Sequence, residues 1–378
     1  MKLFDVYSLL DMEPVKAQGA YLWDKAGQEY LDFYGGHAVI SIGHTHPHYV
    51  EKISEQLSKI GFYSNAVINS LQVELAEKLG ALSGYDDYSL FLCNSGAEAN
   101  ENALKLASFT TGRERVLAMR SAFHGRTSLA VTVTDNPNIQ APVNKTDKVS
   151  FIPFNDADAL RKELSSGEYA AVIVEPIQGV GGIQVATDEF MLAAREACDA
   201  SGTMLIADEI QAGYGRSGKF FSHQWSGVKA DIITLAKGIG NGFPIGAVMI
   251  SPSIPAKKGM LGTTFGGSHL ACAAAIAVAD VVKDENLVEN ARVMGEKIME
   301  GIAGVSGVKD IRGRGLIIGI DLSVPQADFR KVLREKHHIM TGLTGQYTLR
   351  LLPPLMIGQT EVDRFVEAFR ATAQEMGM

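Results

Sequence analysis

Residues 170–209, "AAVIVEPIQGVGGIQVATDEFMLAAREACDASGTMLIADE", decide the fold. Two short apolar runs, "AAVIVEP" (170–176) and "TMLIADE" (203–209), are apolar at almost every position rather than at alternate ones. Strands covered on both faces read this way. Between them "DEFMLAAREACDASG" (188–202) has the helical period and ends on glycine. Strand, helix, strand with this spacing predicts a parallel pair joined by a helical crossover.

The same kind of run recurs in both directions. "SLFLC" (89–93), "RVLAM" (115–119), "VSFIPF" (149–154), "IITLAKG" (232–238) and "GAVMIS" (246–251) bring the total to seven. The last two lie too close for a helical crossover, so one of them is expected to run antiparallel. This predicts an α/β fold, a mainly parallel seven-stranded sheet with helices on both faces. After about residue 270 the pattern changes. A long helical stretch, 270–302, precedes "RGRGLIIGIDL" (312–322), "TLRLLPPL" (348–355) and a closing amphipathic helix. These read as a smaller α+β domain. "GAYLWDKAGQEYLDF" (19–33) reads as a hairpin turning at Asp24–Gly27 that joins it. The expected division is residues 1–43 with the small domain, 44–270 as the large domain and 271–378 as the rest of the small domain.

Bulk composition narrows the function. The chain has 378 residues, 46% hydrophobic and 21% charged, with net charge −8 and no basic block, which argues against nucleic-acid binding. Cys93, Cys198 and Cys272 are far apart, so a disulfide framework or zinc site is disfavoured and a reducing cytoplasm fits. "MKLFDVYSLLDMEP" carries acids among its apolar residues and does not read as a signal peptide. No apolar run reaches the ~18 residues of a membrane helix.

Ligands of such sheets bind beyond the carboxyl ends of the strands. Polar stretches sit there: "NSGAEAN", "VEPIQG", "DEIQ" and "AKG". Alone, Lys237 reads as a surface lysine at a strand end, and Asp208 as a helix cap or surface acid. Together they fit pyridoxal phosphate chemistry, in which a lysine holds the cofactor as a Schiff base and a carboxylate faces the pyridine nitrogen. Ser95, Gly96 and Ala97 open a helix after a strand, a seat for a phosphate. Phe123 could stack on a flat ring, and Arg126 could clamp a carboxylate.

In this order, "NSGAEANE", "FHGRT", "VEPIQG", "DEIQAGYGRSG", "LAKGIGNGFPIGA" and "TTFGGSHLA" resemble the class III (ornithine-type) aminotransferases. "YLWDKAGQEYLDF", "GHTHPHYV" and "RLLPPL" extend the likeness over almost the whole chain, and the acetylornithine-acting branch is the most similar. The resemblance implies the large aminotransferase fold, a homodimer with shared active sites and pyridoxal 5'-phosphate as cofactor. It makes Lys237 the Schiff-base lysine and Asp208 the pyridinium partner. Gln211 lies beside the ring hydroxyl, Phe123 stacks on the ring, and Gly96 and Ala97 cradle the phosphate. Thr264 reaches the phosphate from the opposite subunit, with Thr263 beside the substrate. Arg126 binds the distal carboxylate of the donor, Arg350 the carboxylate next to the reacting carbon of the keto acid, and Tyr21 touches substrate. The glycines after Lys237 are expected to make room for cofactor and partner backbone. The implied reaction moves the terminal amine of an N-acylornithine to 2-oxoglutarate, giving an acylglutamate semialdehyde and glutamate in arginine biosynthesis. Free ornithine and 4-aminobutyrate are the alternative donors.

Two positions depart from the family. Val180 in "VEPIQGVGGI" stands where ornithine-type enzymes usually have a glutamate that pairs with the arginine matching Arg350. His37 in "FYGGHAVISIGH" replaces isoleucine or tyrosine and is either a hydrogen-bonded loop histidine or a ligand contact. Both make the pocket less acidic or richer in hydrogen-bond donors, which admits a succinyl in place of an acetyl donor. Three other readings are weaker. "GYGRSG" (213–218) satisfies the dinucleotide spacing, but "KFFSHQWSG" does not continue as the helix a dehydrogenase needs. His44, His46 and His48 alternate like metal ligands, yet Pro47 interrupts them and no acid is adjacent, so they read as a loop entering a helix. A cofactor-less partner subunit would not need the intact lysine, aspartate and phosphate turn.

Overall fold

A computed structural model describes all residues, 1–378. Its central sheet has seven strands. Across the sheet they run Ser89–Cys93, Gly246–Ile250, Ile232–Leu235, Met204–Asp208, Tyr169–Val174, Arg115–Met119 and Val149–Ile152. Every expected run forms one of them. Gly246–Ile250 is antiparallel to both neighbours, whereas the pairings from Ile232–Leu235 outward are parallel. Tyr169–Val174 is buried along its whole length, which explains its unbroken apolar sequence.

Helix Gly96–Thr111 lies across one face of this sheet, against Ile232–Leu235, Tyr169–Val174 and Gly246–Ile250. Helix Asp188–Ser201 packs against Met204–Asp208 and helix Ala157–Leu164. Its ends are written in the sequence. Thr187 accepts from Phe190 N, Asp188 and Glu189 sit in the first turn where the helix dipole favours them, and Gly202 at φ 66° stops it.

A second seven-stranded sheet combines both ends of the chain. Pro14–Gln18, Tyr21–Asp24 and Glu29–Phe33 continue into Ile339–Thr344, Thr348–Leu351, Ile317–Leu322 and Val308–Arg314. The junction is parallel, with Leu31 opposite Ile339. The Tyr21–Phe33 hairpin turns where its sequence suggests, with Asp24 Oδ1 accepting from Ala26 N and Gln28 N. Helix Gln359–Glu375 covers the sheet, stacking Phe365 on Phe33 at 4.6 Å. The long helical stretch is in fact two helices, His269–Asp284 and Leu287–Ile302. They break at Asn286, whose left-handed φ of 51° an asparagine tolerates better than most residues. Nowhere is a helix long and apolar enough to cross a membrane.

Candidate active site

The carboxyl ends of Tyr169–Val174, Met204–Asp208 and Ile232–Leu235 meet the N-terminus of helix Gly96–Thr111 around a cavity of about 260 Å³. Gly96, Ala97, Phe123, Arg126, Asp208, Gln211 and Lys237 all line it. Seven residues spread over 142 positions thus converge on one space (237 minus 96, plus one).

Lys237 does not lie in the strand that precedes it. The strand stops at Leu235, and Lys237 opens a single 3₁₀ turn with φ 49°, a left-handed conformation rare for lysine. Such strain persists only where surroundings over-determine it, and it clusters at functional sites. Here Asn241 supplies the restraint. Its Oδ1 accepts from Ser41 N and Ile42 N at 2.8 and 3.1 Å, and its Nδ2 donates to Gly43 O. Ser41 Oγ donates to Gly238 O at 2.7 Å. Among the glycines of residues 238–246 the most crowded serves the chain's own backbone: a Cβ on Gly240 would stand 2.2 Å from Phe243 O. Lys237 forms no ion pair, and desolvation lowers its pKa against the opposing pull of Asp208 and Glu175. The amine is therefore biased toward its neutral, nucleophilic form.

Asp208, 4% exposed, is fixed at the cavity floor. Its Oδ2 accepts from Asn100 Nδ2 at 2.8 Å and bonds His124 Nδ1 at 2.7 Å, while Oδ1 accepts from Ile210 N at 3.1 Å. Asn100 is held in turn: its Nδ2 also donates to His124 O and its Oδ1 accepts from Thr234 Oγ1. Glu175 accepts from Phe123 N and Gly179 N, and burial pushes its pKa up. Asn100, Thr234, His124 and Glu175 escaped the sequence reading. One signal was available for Asn100. It lies in a stripe with Ala99, Ala103 and Ala107 on the buried side of its helix, and a polar residue there needs a partner.

The residues suit a flat, phosphorylated cofactor carrying an aldehyde. Gly96 is the first residue of the Gly96–Thr111 helix, whose N-terminus favours an anion, and a Cβ there would meet the Ile210 side chain at 2.9 Å. Gln211 Oε1 is buried without a partner beside the cavity, while its Nε2 donates to His37 O at 3.1 Å. An unpaired buried acceptor is costly unless a ligand donor meets it. Ser95 caps the helix by accepting from Glu98 N, so its side chain acts on the helix first.

Other expected residues lie elsewhere. Tyr21 does not line this cavity: its hydroxyl donates to Glu361 Oε1 at 2.8 Å. Thr263 and Thr264 are also absent from the cavity wall. Thr263 Oγ1 accepts from Asn94 Nδ2 and Gly266 N on a separate surface pocket, and Thr264 is exposed. Arg350, 5% exposed, donates from Nη1 to Gly179 O at 2.9 Å, while its Nε has no partner. Arg126 is exposed and makes no hydrogen bond or ion pair. His44, His46 and His48 each reach a different carboxylate, on Asp32, Glu285 and Asp280. "GYGRSG" is a turn that leads to the short 3₁₀ helix Ser222–Ser226, not to a pyrophosphate-binding α-helix.

Known proteins place this arrangement. Acetylornithine aminotransferase of Methanosarcina mazei is 40% identical over 356 residues, covering 93% of this chain and 89% of the relative. That of Corynebacterium efficiens is 39% identical across 99% of this chain and 95% of its own. The crystal structure of ornithine aminotransferase from Toxoplasma gondii ME49 superposes with a TM-score of 0.93 at 30% identity, covering 99% of this chain and 93% of that one. Acetylornithine aminotransferase from Elizabethkingia anophelis superposes at 0.86 with 31% identity, covering 98% and 96%. The profile of the family Aminotransferase class-III matches residues 6–372, so the lysine, the anchored aspartate and the helix-borne anion seat belong to a chain of the class-III aminotransferases, a pyridoxal phosphate-dependent family.

Proposed function

We propose that this chain transfers the terminal amine of an N-acylornithine, N-acetylornithine first, to 2-oxoglutarate. The single observation that carries the reading is a pair of guanidinium groups without carboxylate partners near Lys237, Arg126 on the same cavity and Arg350 close enough to act on the amine. Arg126 stands exposed at the cavity mouth, suited to a donor whose carboxylate is remote from its amine. Arg350 is buried with a free Nε, suited to an acceptor whose carboxylate adjoins the reacting carbon. The named activity of the relatives supports the acylated donor.

Pyridoxal phosphate, when bound, supplies a ring that withdraws the electron pair left as the amine-bearing carbon loses its proton. Lys237 would hold the cofactor covalently, and its Nζ, whose pKa desolvation lowers, would take that proton and return it. Asp208, immobilised by Asn100, His124 and the Ile210 amide, would accept a ring N–H. Phe123 would cover the ring, Gln211 would meet its hydroxyl, and Gly96 and Ala97 would offer backbone N–H groups to the phosphate. Over the full cycle the donor carbon loses its amino group and one hydrogen and leaves as an aldehyde. The 2-oxo carbon of the acceptor gains both and loses its oxygen as water, balancing the water whose oxygen the aldehyde carbon takes.

The active unit is a cytoplasmic homodimer in this reading. Thr264 lies next to Phe265, which is 60% exposed and pairs with Phe62 at 5.2 Å, and Ile68 nearby is 93% exposed. An apolar patch of this kind fits a second copy, which would bring Thr264 to the partner's phosphate and Thr263 to its substrate.

The test compares kcat/KM for N-acetylornithine, N-succinylornithine, ornithine and 4-aminobutyrate with 2-oxoglutarate as acceptor. An N-acylornithine should lead. An acetyl preference of tenfold or more, about 1.4 kcal/mol, removes the succinyl reading. A lead for free ornithine or 4-aminobutyrate overturns the acylornithine assignment.

A further inference from the structure

Gly35, Gly36, His37 and Ala38 have φ values of 56°, 56°, 66° and 66° in succession. This is one turn of left-handed helix, and L-residues pay roughly 1–2 kcal/mol each for that conformation. Two of the four are not glycine, so something must hold them there. Asp32 Oδ1 accepts from Tyr34 N at 2.9 Å and Gly35 N at 2.8 Å. Gln211, on the cavity wall, holds His37 O. Strain that is built and held beside a reactive lysine is the kind that serves a function.

The turn displays one particular pair. Tyr34 Oη and His37 Nε2 share a hydrogen bond of 2.5 Å. The Tyr34 ring lies over Gly342, where a Cβ would stand 3.1 Å from it, and Gly342 is paired directly opposite Arg350 in the sheet. Arg350 has one carbonyl and no carboxylate. Glu175, the nearest acid acting on it, is committed to two backbone amides. Position 180, whose neighbouring carbonyl Arg350 holds, is valine. No side chain of the protein therefore competes with a ligand for this guanidinium, and a neutral hydroxyl–imidazole pair stands next to it.

We propose that Tyr34 and His37 complete the Arg350 seat for a carboxylate adjoining the reacting carbon, and so are positioning residues that select 2-oxo acids as second substrate. With the seat empty, the phenol is engaged by His37. With a carboxylate on Arg350, the Tyr34 O–H donates to it while His37 fixes the ring. This rests on the transamination reading, and adds to it that recognition of the acceptor depends on a neutral pair absent from the cofactor-binding set.

Calorimetric titration of the holoenzyme with glutarate, an unreactive dicarboxylate, tests it together with the two half-reactions followed by cofactor absorbance. Arg350→Ala calibrates loss of the seat. Tyr34→Phe should weaken glutarate binding about tenfold, the loss of one hydrogen bond to a charged group. It should slow the glutamate half-reaction more than the acylornithine half-reaction. His37→Asn, which tolerates a left-handed backbone and keeps a polar side chain, should recover most of the binding that His37→Leu loses. Unchanged glutarate affinity in Tyr34→Phe overturns the proposal. So does an equal loss in both half-reactions with a lowered melting temperature, which marks a structural role. Failure of the transamination reading is distinct: the wild-type protein would then perform neither half-reaction.

Discussion

The floor and the open side of the cavity are built on opposite principles. At the floor every polar atom of Asp208 is spoken for, through Asn100, His124 and the Ile210 amide, and Asn100 is itself anchored by Thr234. Away from the floor Arg126 at the mouth has no partner, the buried Arg350 has one carbonyl, and Thr263 and Thr264 lie outside the cavity wall. A single chain thus preorganises what acts on the cofactor ring and leaves unmade what must meet changing substrates or a second subunit. Preorganised donors on the floor cost no rearrangement during turnover. Unpaired guanidinium groups store recognition for a carboxylate that arrives later.

The sharpest way to break this contrast is to ask whether the open side is closed by another subunit. Lys237→Ala and Thr264→Ala homodimers should each be impaired. Mixed and re-associated, they should form heterodimers in which one site has both residues, restoring about one quarter of wild-type sites for random pairing of a twofold dimer. No recovery in verified heterodimers would return Thr264 to its own chain.

A smaller effect is expected from loosening the floor. Asn100→Ala removes one of three donors to Asp208 and leaves Thr234 Oγ1 without its acceptor. Loss of a hydrogen bond to a charged group costs about 1.5–3 kcal/mol, so kcat should fall roughly tenfold to a hundredfold. KM for either substrate should move little. A change confined to KM would show that the network serves substrate rather than the ring.

Much of this could be read from the sequence, and the limits were physical. The apolar runs located all seven central strands because a doubly covered strand has no polar face to hide it. Lys237, Asp208 and Gly96 were legible because their chemistry is unusual where a strand ends. Asn100 and His124 were hidden inside motifs that already had an explanation, a helix start and an aromatic neighbour. The Tyr21 hydrogen bond had no signal because its partner, Glu361, is 340 positions away and no local period reports such a contact. The left-handed backbone at Lys237 had no signal, since lysine is not a residue that announces positive φ.

The smallest expected effect is a shift in a pH profile. In cofactor-free enzyme the rate of cofactor capture should rise with pH through an inflection below 10.5, the ordinary lysine value, because burial disfavours the ammonium. Glu175 acts in the other direction, its negative charge favouring the ammonium. Glu175→Gln should therefore move the inflection further down. An upward shift would contradict the electrostatic account of this amine.

The central claim is that Lys237, strained and desolvated at the end of its strand, is the group that takes the cofactor. Borohydride reduction of the holoenzyme, followed by proteolysis and peptide mass mapping, tests it directly. The account predicts a pyridoxyl phosphate adduct on the peptide that contains Lys237, and none in Lys237→Ala protein. An adduct on any other lysine, or a Lys237→Ala enzyme that turns over at the wild-type rate, would contradict it.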